Sequence, residues 1–180
     1  MGSMNRIVRF VLAGILITGS LTGFAQEPGK VNWMTFEEAV EASKTEKKKI
    51  FIDVYTDWCG WCKVMDKNTF SQKDIATYLN ENFYPVKLDG EQKEPITFRG
   101  TTFKFVPSGR KGYHQLAAAL LQGQLSYPTV VFLDEDFNML QPLKGYQQPK
   151  EFDMVLKFLG EDHFKTVKWV DFQKTYNSPF

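Results

Sequence analysis

Three short stretches of the chain are almost continuously apolar: Ile50 to Tyr55 (IFIDVY), Phe83 to Leu88 (FYPVKL) and Tyr127 to Leu133 (YPTVVFL). Runs of this length, rich in β-branched and aromatic residues and lacking polar alternation, predict strands buried on both faces. Pro85 cannot donate to a ladder, which puts the second run at a sheet edge or a strand entry. Elsewhere the apolar residues recur three and four apart, at Ile75, Ala76 and Leu79, and again at Phe152, Val155, Leu156 and Leu159. That is helix spacing. Thr35-Phe36-Glu37-Glu38 has the spacing of a capping box and predicts a helix to about Thr45. Lys47-Lys48-Lys49 then reads as the solvated end of that helix.

Further signals complete the order of elements. Cys62 to Asn68 reads as helical, and Ser71-Gln72-Lys73-Asp74 as the start of another helix. Tyr113 to Gln122 (YHQLAAALLQ) is helical by composition and stops at Gly123, with His114 on the helix surface. Asp134 to Asn138 reads as a turn into a hairpin partner, Met139 to Lys144, which Gly145 ends. Asp89 to Gly112 is the least regular part: Phe98, Phe103, Phe105 and Val106 are scattered among Gly100, Pro107 and Gly109, as in a small hairpin or ordered loop. The tail, with Phe164, Val167, Trp169, Val170 and Phe172, predicts a short helix packed back on the domain. Strands alternating with helices make this an α/β fold.

Composition adds a compartment. Arg6 and Arg9, the apolar run Phe10 to Ile17, and small residues up to Ala25 have the layout of a cleavable secretory signal over residues 1–25. The apolar run is far shorter than the roughly 20 residues that span a bilayer, so the mature chain is not expected to insert stably in a membrane. Removing two of the 22 basic residues leaves 20 against 21 acidic ones, a net charge of −1. Near-neutrality offers no electrostatic case for nucleic acid. Residues 26–180 suit one domain with a full core.

The chain has two cysteines, Cys59 and Cys62, in TDWCGWCK at the end of the first apolar run. A bridge closing so small a gap constrains little of the unfolded chain, so a structural staple is a poor reading. A strand leading into CxxC on a helix is the context of a redox motif. Two alternatives stay open. One is a copper or zinc carrier; a closed zinc site needs four ligands, and His114 and His163 show no matching spacing, although Met65 could assist copper. The other is a binding module in which the thiols are incidental and the 89–112 insert docks a partner. An Asp at position 53, inside an apolar strand, is costly unless paired or neutral, which itself hints at a role.

With IDVYTDWCGWCK, the later Tyr127-Pro128-Thr129 and Gly145 in view, the sequence resembles the thioredoxin superfamily over about residues 35–160. Within it the chain is similar to periplasmic thioredoxin-like thiol–disulfide oxidoreductases of the CGWC type, and to the C-terminal domain of the periplasm's membrane reductant conductor. The resemblance implies a central mixed β-sheet flanked by helices, with an insert before the proline passage and a C-terminal extension. It implies Cys59 as nucleophile at a helix start, where free N–H groups and the helix dipole favour a thiolate, and Cys62 as the resolving thiol. Asp53 is implied as a proton carrier to or from Cys62, with Lys87 as its partner. Pro128 is implied to be cis against Cys59, leaving the Tyr127 backbone free to pair with a client strand. Trp58, Gly60 and Trp61 would shape the client surface, Gly60 by letting the backbone turn tightly. Trp61 departs from the thioredoxin pattern, which has proline there, and so leaves the redox potential open. The implied partners are thiols and disulfides of secreted or periplasmic proteins, together with a membrane thiol reductant; no cofactor and no metal is called for.

Overall fold

The computed structural model describes residues 29–180, so the expected signal segment lies outside the described residues. Helix α1 (Phe36–Ala42) begins at the capping box, with Thr35 Oγ1 accepting from Glu38 N–H and Glu38 accepting from Thr35 N–H at 2.7 Å. Strand β1 (Lys49–Tyr55) leads into α2 (Gly60–Met65), which runs on as a π-helical turn over Asp66–Phe70. Helix α3 (Lys73–Asn82) then feeds β2 (Phe83–Asp89). The insert forms two small hairpins, β3 (Ile96–Phe98) with β4 (Thr101–Phe103), and β5 (Phe105–Ser108) with β6 (Lys111–His114). Helix α4 (Gln115–Leu120), β7 (Thr129–Leu133), β8 (Met139–Lys144), α5 (Pro149–Gly160) and α6 (Trp169–Thr175) complete the chain.

The main sheet has the order β2-β1-β7-β8, parallel between β1 and β2 and antiparallel elsewhere. It is a mixed sheet with helices on both sides. Ile50, Ile52 and Val54 of β1 face a layer containing Phe36 and Ala39 of α1 and Leu116, Ala117 and Leu120 of α4. Phe51 faces the other way, among Ile75 and Leu79 of α3 and Phe152, Leu156 and Leu159 of α5. Its ring lies 5.7 Å from Phe70, 5.3 Å from Phe132 and 5.5 Å from Phe152. Each such buried side chain contributes about 1.5–3 kcal/mol. Strand alternation puts Asp53 on the same side as Phe51.

The structure departs from several sequence expectations. Lys49 opens β1 and is buried, paired with Glu135 and Asp162 at 2.9 Å each, so two carboxylates compensate the charge that the sheet end desolvates. His114 ends β6 and is fully buried, its Nδ1 accepting from Leu116 N–H at the start of α4; it is not a helix surface residue. The helix expected from Ser71-Gln72-Lys73-Asp74 is present, with Gln72 at its N-cap and the Ser71 hydroxyl donating to the Lys67 carbonyl. In the tail Phe172 packs inward while Val170 stays 56% exposed. With Phe158, Phe164 and Trp169 the tail walls a cavity of about 690 Å³ against β8 and α5.

Candidate active site

The β1–β7 register pairs Val54 with Thr129, which brings the loop carrying the cysteines beside the residues that precede β7. Cys59 is the N-cap of α2, and its sulfur accepts from Cys62 N–H at 3.1 Å. Cys59 N–H in turn donates to Thr56 O at 3.0 Å, closing the turn between strand and helix. Cys59 and Cys62 are joined in a disulfide with Cα atoms 5.3 Å apart. Both are buried, Cys59 at 4% exposure and Cys62 at 2%. Gly60 has neither a left-handed backbone nor a neighbour within 4 Å of a would-be Cβ, so the turn does not demand glycine.

The strand that leads into the cysteine loop contributes to a charged floor. The parallel register sets Asp53 beside Lys87, and Asp53 Oδ2 lies 2.6 Å from Lys87 Nζ. Burial pushes the Asp53 carboxyl up to about 6, although the Lys87 charge pulls the other way. Burial also pulls the Lys87 ammonium down, but Asp53 and then Asp66 outweigh it, leaving the lysine above its ordinary value. Asp66 is the residue that sequence reasoning missed: it pairs with Lys87 from the π-helical turn and is partly exposed. Its spacing four residues after Cys62, on the same helix face, was the available signal. Lys87 also sits over the Trp33 ring at 4.7 Å and the Tyr55 ring at 5.0 Å. A pocket of about 320 Å³, lined by Trp33, Asp66, Phe70 and Lys87 among others, opens this floor to the surface.

Above the disulfide is an aromatic rim. Trp58 and Trp61 are 55% and 62% exposed. Trp61 leans on Tyr146 with ring centroids 5.7 Å apart, and Trp58 meets Tyr127 edge to face at 5.9 Å. The Tyr127–Pro128 bond is cis, and Pro128 O accepts from Gly145 N–H at 2.8 Å. Among the described residues, neither the N–H nor the C=O of Tyr127 has a backbone partner. Lys111 reaches from the insert to place its ammonium 3.7 Å from the Trp58 ring. Lys111 and Tyr146 carry no motif, and only the folded chain brings them here.

Among the described residues, no group of three or more His, Cys, Asp and Glu is placed to hold a metal ion. Met65 is fully buried, with its sulfur accepting from Gln147 N–H at 3.4 Å. No described helix is long and apolar enough to cross a membrane.

The family model Thioredox_DsbH, described as a protein of unknown function (DUF255), matches residues 20–157. The chain is 30% identical over 116 residues to an uncharacterized protein of Caenorhabditis elegans, an alignment spanning 64% of this chain and 14% of that protein. The chain thus corresponds to a small part of that relative. Among solved structures, a DsbH oxidoreductase superposes with a TM-score of 0.53 at 20% identity, covering 77% of this chain and 93% of that one. A putative disulphide-isomerase from Bacteroides thetaiotaomicron gives 0.50 at 26% identity, covering 74% and 95%. The fold is that of thioredoxin, and this fold with a disulfide-capable CxxC pair supports a thiol–disulfide redox function. On the match over residues 20–157, the chain belongs to the Thioredox_DsbH family.

Proposed function

We propose that this protein is a thiol–disulfide oxidoreductase of the periplasm, exchanging disulfides with secreted proteins and kept reduced by a membrane thiol reductant. One observation carries the reading: the Cys59–Cys62 disulfide sits at the start of α2, and the strand that leads into it carries Asp53, paired with Lys87 of the neighbouring parallel strand. The basic, then apolar, N-terminal sequence supports the compartment. Residues 26–180 act as one domain.

In the reducing direction the Cys59 thiolate attacks one sulfur of a client disulfide. A mixed disulfide forms, and the other client sulfur leaves as a thiolate and takes a proton. Cys62 then loses its proton, attacks Cys59 Sγ and breaks the bond to the client, whose second sulfur leaves with the electron pair and is protonated. Two electrons and two protons pass from the cysteine pair to the client, and the reverse sequence oxidises a client dithiol. Helix N–H groups at the start of α2 favour the Cys59 thiolate. Asp53, with its carboxyl near 6, is mostly ionised at neutral pH and can accept the Cys62 proton. Pro128 forms the groove wall, and the unpaired Tyr127 backbone offers a client strand its hydrogen bonds. Trp58, Gly60 and Trp61 border that groove.

In a dithiol-driven assay of protein disulfide reduction, Cys59→Ser is expected to fall to the uncatalysed rate. Cys62→Ser is expected to accumulate mixed disulfides through Cys59. Wild-type activity in Cys59→Ser would end this reading.

A further inference from the structure

The disulfide is poorly exposed, and the insert reaches the tryptophan next to it. Hairpin β5–β6 is tied to the core at its root: His114 N–H donates to Gly90 O at 2.7 Å, and Gln115 N–H to Lys104 O at 2.9 Å. The Lys104 N–H donates back to Gln115 Oε1 at 2.8 Å. The hairpin closes tightly on itself, for a Cβ at Gly112 would run into the Phe105 ring and the Val106 carbonyl. Tyr127 seats its ring where a Cβ on Gly90 would lie, so the residue before Pro128 rests on the first turn of the insert. From this anchored hairpin Lys111 projects over Trp58, and among the described residues no carboxylate pairs with it. Lys111, Trp58 and Tyr127 therefore form one contiguous cluster, cation over ring and ring edge to face, next in sequence to Cys59, which is 4% exposed.

We propose that hairpin β5–β6 is the client-selecting wall of the groove, with Lys111 as its specificity-determining residue. This rests on the oxidoreductase reading. Lys111 holds Trp58 in place beside Cys59 by a cation–π contact. A small thiolate must displace that cluster before it can attack Cys59 Sγ, form a mixed disulfide and release Cys62 as the thiolate. A polypeptide thiol lies along the Tyr127–Pro128 passage, and its main-chain hydrogen bonds offset the cost of opening the wall. The wall thus sets the preference for extended protein clients over small thiols.

The test compares the second-order rates at which glutathione and reduced, unfolded ribonuclease A reduce the Cys59–Cys62 disulfide, followed by tryptophan fluorescence. Lys111→Met, which keeps the stem and removes the charge, is expected to raise the glutathione rate about two- to fivefold, as loss of one exposed cation–π contact implies. The polypeptide rate is not raised, so the preference falls by the same factor. Lys111→Arg restores the preference, and Arg110→Ala, altering the neighbouring charge on the same turn, leaves it at the wild-type value. An unchanged preference in Lys111→Met overturns this inference alone. A wild-type disulfide that neither thiol reduces overturns the oxidoreductase reading as well.

Discussion

Two lysines near the cysteine loop lie over aromatic rings, and their surroundings give them different work. Lys87, in the floor, is drawn between Asp53 and Asp66 and over the Trp33 and Tyr55 rings, with its side chain 19% exposed. Lys111, on the rim, lies over Trp58 from an exposed hairpin. The same cation–π geometry is strong where solvent is excluded and weak where it is not. A charge in the floor therefore governs protonation and stability. A charge on the rim governs access.

The sharpest test of that contrast is the same substitution at both lysines. Lys87→Met leaves Asp53 as a buried carboxylate without its cation, and removing one partner of a buried pair costs about 3–5 kcal/mol. The loss should appear in urea unfolding at pH 8 and shrink toward pH 4, where Asp53 is protonated. Equal loss at both pH values would show that packing, not charge, carries the effect. Asp53→Asn should act in the opposite direction. The carboxyl is raised from an ordinary 3.8 to about 6, so its stabilising contribution is fully present below about pH 4 and is lost as pH rises through 6. Lys87 keeps Asp66 as its partner, so relief of that penalty should raise stability at pH 8 relative to pH 4, by up to about 3 kcal/mol. On the proposed scheme, in which Asp53 carries the Cys62 proton, exchange at neutral pH should slow; a variant with both unchanged pH dependence and unchanged rate would remove Asp53 from the scheme.

On the rim the effects are smaller. Gly112→Ala forces a methyl into the Phe105 ring and the Val106 carbonyl, an overpacking that costs about 1–3 kcal/mol. Hydrogen exchange should quicken in residues 105–114 and leave the strands of the main sheet unchanged. Lys111→Met should alter global stability by less than about 1 kcal/mol, while shifting thiol preference. A loss at Lys111 as large as that at Lys87 would erase the distinction between floor and rim.

The elements that sequence reading located well are those whose signals are local. The Thr35–Glu38 capping box spans a single helical turn, and the apolar runs at 50–55, 83–88 and 127–133 each declare burial on their own, the last forming a strand from Thr129. The insert was legible only as a small hairpin or an ordered loop, and its two hairpins were not resolved, because strands of three and four residues give neither period two nor a continuous run a chance to show. Lys49 and His114 were misplaced for a related reason: each is polar by type yet buried by tertiary partners, Glu135 and Asp162 for the lysine, and the first turn of α4 for the histidine. The cysteine pair and Asp53 stood out because their residue types are anomalous where they occur. Asp66, Tyr146 and Lys111 are ordinary surface residues in the sequence.

What the chain determined by itself was the order of its strands and helices and the reactive pair at the end of the first strand, since periodicity, caps and cysteine spacing act over a few residues. The resemblance already implied Lys87 as the partner of Asp53, and the tertiary structure alone added Asp66, Tyr146 and Lys111 around that pair. Parallel register sets Asp53 against Lys87, and the helical turn after α2 adds Asp66. The insert, anchored through Gly90 and His114, brings Lys111 to Trp58 from about fifty residues away along the chain. Such contacts depend on how separate segments pack, and no local pattern records them.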